Sequence, residues 1–121
     1  MEFALIIDDN RLTADALRQM LEVLNVPARV AYGASPAISL LGSEVPNLVL
    51  LDINMPGVDG FEILAYLRRE PRLIAVPVIV ITSDDQPETA ERARKGGAAA
   101  ILIKPATLES LEAALQKVKA L

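Results

Sequence analysis

The chain has 121 residues, 52% of them apolar and 3% aromatic, with a net charge of −4 and neither Cys nor His. That length suits one domain built on one aliphatic core. The missing thiols and imidazoles exclude disulfides, thiolate nucleophiles, imidazole bases and Cys/His metal sites, and the acidic balance argues against a nucleic-acid surface that tracks phosphates.

The first apolar run, Ala4–Ile7, is short and preceded by Glu2, unlike a signal peptide. No stretch approaches the ~18 apolar residues of a membrane span. A soluble, cytoplasmic protein is the expectation. Asp8 and Asp9 follow that run, and Asn10 to about Leu24 predicts a helix with Leu17, Leu21 and Leu24 on one stripe. A second run, Ala28–Tyr32, ends at Gly33. Ser35-Pro36 then reads as a helix start, with Ser at the N-cap and Pro at the first helical position.

Leu48–Ile53 is the third run, with Asp52 and Asn54 at its end. Asp59 to Glu70 predicts a helix that turns Ile63, Leu64 and Leu67 inward. Val78–Thr82 is the fourth run, followed by Ser83, Asp84 and Asp85. Gln86-Pro87 opens a polar helix that ends at Gly96-Gly97, where glycine permits a left-handed cap. Ala100–Ile103 is the fifth run, followed by Lys104-Pro105. Thr107 caps a last helix whose stripe is Leu108, Leu111, Leu115 and Val118.

Three of the runs (Leu-Val-Leu-Leu, Val-Ile-Val-Ile and Ile-Leu-Ile) are continuously apolar, as in parallel strands covered on both faces. The order is (βα)5, and right-handed crossovers then put helices on both sides of one sheet. With no linker, repeat or low-complexity segment, the expectation is a single domain over residues 1–121 without an output domain.

In an open α/β sheet, functional groups collect beyond the carboxyl ends of the strands. Asp8, Asp9, Asp52, Asn54, Thr82 and Lys104 all fall there. Convergence of Asp8, Asp9 and Asp52 requires either protonation or a cation. Oxygen donors alone favour Mg²⁺, Mn²⁺ or Ca²⁺, and Mg²⁺ leaves coordination positions for an incoming phosphate. Lys104 adds a compact charge for Asp52 or a phosphoryl oxygen, and Thr82 adds a hydroxyl donor. This is a phosphoryl-transfer site in outline. Each residue also has an ordinary reading. Asp8-Asp9 could cap the first helix, Pro56-Gly57 and Asp59-Gly60 are turn chemistry, Thr82 is a common strand residue and Lys104 a common surface lysine. Asp52 is harder to explain away, because an acid ending an apolar run is costly unless paired.

Asp8-Asp9, the segment Asp52-Ile53-Asn54-Met55-Pro56-Gly57-Val58-Asp59-Gly60, Thr82 and Lys104-Pro105, in this order, resemble the response-regulator receiver family of two-component signalling over essentially the whole chain. The resemblance implies a flavodoxin-like doubly wound parallel sheet with strand order 2-1-3-4-5. It implies that Asp52 accepts a phosphoryl group from a histidine kinase or histidine phosphotransfer protein. Mg²⁺ (or Mn²⁺) would be held by Asp8, Asp9, Asp52 and the Asn54 backbone carbonyl. Thr82 and Lys104 would contact the phosphoryl group, and the Lys104–Pro105 peptide would be cis. The switched surface would address a downstream protein or an output domain, with no direct part for nucleic acid or membrane.

Three positions depart from the pattern. Many receivers carry Tyr or Phe three residues before the lysine, and here that residue is Ile101. The usual coupling from Thr82 to the face of helix 4, strand 5 and helix 5 is therefore expected to give way to a displacement of the loop and helix 4, or to another face. Ser83 replaces the common Ala or Gly, with modest effect. Asp84 and Asn54 occupy positions that the resemblance places beside the path of a hydrolytic water.

Three other functions compete. A degenerate receiver would bind partners without phosphorylation, which Ile101 favours and the intact acids and Lys104 oppose. A phosphatase with an aspartyl nucleophile would need an acid where Asn54 stands. A flavin carrier would need a hydroxyl- and glycine-rich loop where Asp8-Asp9-Asn10 stands. The expectation is a signalling phosphoacceptor rather than an enzyme.

Overall fold

The computed structural model describes residues 2–118. Its elements are β1 (Ala4–Ile7), α1 (Arg11–Val23), β2 (Ala28–Ala31), α2 (Ala34–Leu41), β3 (Leu48–Asp52), α3 (Gly60–Arg69), β4 (Val78–Thr82), α4 (Pro87–Lys95), β5 (Ala100–Ile103) and α5 (Leu108–Lys117). The strands form one sheet in the order β2-β1-β3-β4-β5, and each neighbouring pair is parallel. Two of the three continuously apolar runs, those of β3 and β4, are buried throughout, whereas the third, Ile101-Leu102-Ile103 of β5, lies at the sheet edge with Ile101 half-buried and Ile103 exposed, because no strand covers its outer side. Every residue of β1, β3 and β4 is buried, while the edge strands β2 and β5 each expose part of one face.

Alternate residues of the central strands feed two separate cores. On one face, Leu5, Val49, Leu51 and Val80 pack with Leu41 of α2, Leu64 and Leu67 of α3, and Ala93 of α4. On the other, Ile6, Leu50, Ile79 and Ile81 pack with Leu17 and Leu21 of α1 and with Leu111 and Leu115 of α5. Each fully buried Leu or Ile contributes about 1.5–3 kcal/mol relative to exposure. These layers fix the strand ends relative to one another.

The helix starts agree with the sequence at four of five places. Asn10 caps α1 by accepting from the Thr13 N–H, and Asp59 caps α3 by accepting from the Phe61 N–H at 3.0 Å. Pro87 lies in the first turn of α4, and Thr107 and Ser110 form a reciprocal capping box on α5. The exception is α2. Its N-cap is Gly33, with φ +137°, and Ser35 and Pro36 lie inside the first turn. Proline is tolerated there because the first N–H groups have no partner within the helix.

Smaller differences concern ends and faces. β2 and β3 stop one residue earlier than expected, at Ala31 and Asp52. Leu108, expected on the buried stripe of α5, is 37% exposed. Gly97 adopts φ +102° just past α4, the left-handed position expected of the Gly96-Gly97 pair, and the Lys104–Pro105 peptide is cis.

Gly60 matters for the site. A Cβ at that position would lie 2.4 Å from the Ile53 Cα, so only glycine lets the start of α3 press against the chain leaving β3. Gly60→Ala is expected to destabilise the fold by about 2–3 kcal/mol through overpacking against backbone, read as a lowered urea midpoint. A midpoint equal to the wild type would show that the contact is not tight.

Candidate functional site

Parallel pairing brings the strand ends to one edge. Ile7 pairs with Leu51, Asp52 with Ile81 and Thr82 with Ile103. The ladder runs one step further, with the Lys104 N–H donating to the Thr82 carbonyl at 2.8 Å. Asp8, Asp52, Thr82 and Lys104 therefore arrive side by side as a consequence of register.

Asp8 and Asp52 are 1% and 3% exposed, and Thr82 is fully buried. Asp9 is exposed at the mouth. One carboxylate oxygen from each of Asp8, Asp9 and Asp52 lies within 4.8 Å of the others. The half-buried Lys104 Nζ sits 3.3 Å from Asp52 Oδ2 and 3.6 Å from Asp8 Oδ2, so one cation serves two acids. The sequence reading paired Lys104 with Asp52, and Asp8 is a second partner.

The remaining oxygens are held from the backbone. Asp52 Oδ1 accepts from the Asn54 N–H at 2.8 Å, and Asp8 Oδ1 accepts from the Asn10 N–H at 2.9 Å. Asp8 Oδ2 is buried and accepts no hydrogen bond among the described residues. Burial pushes the Asp8 carboxyl up from 3.8 to about 6. The Asn10 N–H works against that rise, the Asp52 charge adds to it and Lys104 opposes it. The alternative that Asp8-Asp9 merely caps α1 falls away, because Asn10 does that work.

The side chain of Asn54 does something the sequence did not announce. Its Oδ1 accepts from the Thr82 hydroxyl at 2.6 Å and from the Ser83 N–H at 3.1 Å. Thr82 Oγ1 in turn accepts from the Asp84 N–H at 3.0 Å. The carboxylate of Asp84 is held within its own loop: its Oδ1 accepts from the Gln86 N–H at 2.9 Å and its Oδ2 from the Thr89 hydroxyl at 2.5 Å. Those bonds draw the Asp84 carboxyl below the usual range, the Thr89 hydroxyl most strongly. Thr89 went unread in the sequence. Its signal was an acid before Pro87 with a hydroxyl residue in the first turn of the following helix.

Among known proteins, residues 4–116 match the response regulator receiver domain family. The chain belongs to the response-regulator receiver family. The receiver is 34% identical to protein PilH of Pseudomonas aeruginosa, over 88% of either chain. It is 31% identical to the polar-differentiation response regulator DivK of Brucella ovis, over 84% of this chain and 82% of that one. Among solved structures, it superposes on the receiver domain of a DNA-binding response regulator from Colwellia psychrerythraea with TM-score 0.88 and 31% identity, covering 98% and 99% of the two chains. A response regulator from Burkholderia pseudomallei, solved with a phosphorylated aspartic acid, a calcium ion and citrate, matches at TM-score 0.84 and 31% identity, covering 99% of this chain and 72% of that one. The receiver is thus a two-component signalling module of the phosphoacceptor kind, and nothing among these likenesses favours the degenerate alternative. Among the described residues no helix is long and apolar enough to cross a membrane.

The raised Asp8 carboxyl gives a pH test. Between 3.8 and about 6 the folded protein holds a proton that the unfolded chain has already released. The stability from that proton is complete below the lower value and is lost as pH rises through the upper one. Without metal, the wild type should lose urea resistance relative to Asp8→Asn between about pH 4 and about pH 7, and a divalent cation should narrow that loss. Parallel profiles for the two proteins would refute the raised value.

Proposed function

We propose that Asp52 is the phosphoacceptor of this receiver, working with Lys104, Thr82 and a divalent cation. The observation that carries this reading is the buried Asp8 Oδ2, which accepts no hydrogen bond among the described residues, within a cluster of three carboxylates that has one lysine to balance it. Such oxygens fit a hard cation, Mg²⁺ or Mn²⁺. Asp8, Asp9 and Asp52 would hold it, together with the Asn54 backbone carbonyl, which accepts no hydrogen bond among the described residues. When bound, the cation supplies positive charge for the oxygens of the phosphoryl group in transit. The Burkholderia relative, with its phosphorylated aspartic acid and calcium ion, supports the same assignment by likeness.

The donor is a phosphohistidine on a kinase or a phosphotransfer protein. A carboxylate oxygen of Asp52 attacks phosphorus, the P–N bond breaks and its electron pair returns to the imidazole. The product is a mixed anhydride on Asp52. The Asn54 N–H keeps the Asp52 carboxylate oriented for attack. Lys104 Nζ, already 3.3 Å from Asp52 Oδ2, pairs with an oxygen of the incoming group, and the Thr82 hydroxyl donates to another.

Intact mass analysis after incubation with acetyl phosphate tests this directly. One added phosphoryl group is expected, dependent on Mg²⁺ and absent in Asp52→Asn. An equal adduct in that variant would move the acceptor elsewhere.

The donor has a landing place beside the site. A groove of about 430 Å³ runs between the start of α1 and the chain after β5, lined by Leu12, Ala16, Met20, Lys104, Pro105 and Ala106. Leu12 stands on its rim, 85% exposed. An amphipathic donor helix would bury it while presenting histidine to Asp52. Leu12→Ser should slow transfer from a phosphorylated histidine phosphotransfer protein by about tenfold and leave the acetyl phosphate rate unchanged. Equal slowing of both reactions would assign Leu12 to the site's integrity instead.

A further inference from the structure

α4 is the helix held least by apolar contact. Of its nine residues only Ala93 is buried, whereas every other helix buries two or more. Its attachments are largely polar, and they lead to the site. The Thr89 hydroxyl and the Gln86 N–H donate to the Asp84 carboxylate, the Asp84 N–H donates to Thr82 Oγ1, and the Thr82 hydroxyl donates to Asn54 Oδ1.

A hydroxyl has one proton to give. In this structure Thr82 gives it to a neutral amide carbonyl whose other acceptor direction is taken by the Ser83 N–H. A charged phosphoryl oxygen is the stronger acceptor. We propose that Thr89 is the residue through which Thr82 reports the state of Asp52 to α4, with Asn54 holding Thr82 in its resting orientation. This rests on Asp52 as the phosphoacceptor. When Thr82 turns from Asn54 to the phosphoryl group, its Oγ1 leaves the Asp84 N–H. The Asp84 carboxylate then loses the backbone anchor that aims it at Gln86 and Thr89, and the N-terminal turn of α4 comes free.

Two features direct the movement. Further along α4, Arg92 stacks over the Phe61 ring at 4.0 Å and reaches Asp59 at 3.6 Å, so the middle of the helix stays tied to α3 while its start is released. Between α4 and β5 lies a groove of about 470 Å³, lined by Pro87, Ala90, Arg94, Ile101 and Lys117, into which the helix can settle. The Ile101 side chain carries no polar atom and takes no part in the hydrogen-bond chain, so no aromatic rotamer is needed in β5.

The test is hydrogen–deuterium exchange of the α4 amides in the full chain, with Mg²⁺ and with or without beryllofluoride, bound ligand being verified by its ¹⁹F signal. In the wild type the ligand should speed exchange in α4 about fivefold, the scale of one lost capping interaction. Thr89→Val should exchange faster at rest and respond to the ligand by less than about twofold, and Thr89→Ser, which keeps the hydroxyl, should restore the wild-type response. A purely structural Thr89 would raise the resting rate and leave the response ratio intact. With ligand bound, an unchanged α4 in the wild type, or a full response in Thr89→Val, would overturn the proposal. Absence of bound ligand in the wild type would bring down the Asp52 reading itself, and this inference with it.

Discussion

Charge repulsion between Asp8 and Asp52 is the constraint around which the rest of this molecule is arranged. The two acids end adjacent parallel strands, so register alone forces them together. The strands behind them are buried throughout, and that burial supplies the free energy that keeps two carboxylates in a place they would not choose. Asp9 adds a third negative charge at the mouth, and Lys104 answers with a single positive one. A buried cluster with such an excess is stable only if one member stays protonated or a cation is recruited. The elevated Asp8 carboxyl is the first solution, and the proposed cation would be the second.

The architecture could be read from the chain because its signals are physical. The aliphatic runs of β1, β3 and β4 become buried strands and β2, interrupted by Arg29, lies at one edge, but the equally apolar run of β5 lies at the other edge, a place its composition did not announce. The strand ends then locate Asp8, Asp52, Thr82 and Lys104 without further information. What misled was local chemistry with two solutions. Ser35-Pro36 is a good helix start, but Gly33 reaches a backbone conformation that serves as N-cap two residues earlier. Leu108 fits the stripe of α5 by spacing, yet as the first residue of the helix it stays exposed while Leu111 and Leu115 are buried.

The site was legible as a set of residues and less so as a set of bonds. Asn54 drew attention for its backbone carbonyl, while its side chain grips Thr82 and Ser83. Asp84 stood out as an acid near the cleft, but both of its oxygens are engaged by Gln86 and Thr89. Side-chain hydrogen bonds between loops depend on how two turns face each other across the sheet edge. No periodicity in the chain encodes that distance, so the grip of Asn54 on Thr82 became visible only in three dimensions, whereas the Asp84–Thr89 bond spans five residues and left a local signal.

Gly60 has a consequence that reaches across the cleft. Because its Cα rests almost directly on Ile53, the wall of the site formed by β3 and α3 has no slack. On the opposite side β4 is buried throughout, but the helix that follows it, α4, is seated on one alanine and a string of polar contacts. On the proposed switch the site would be a vice with one fixed jaw and one that slides, and a glycine too crowded to move decides which is which.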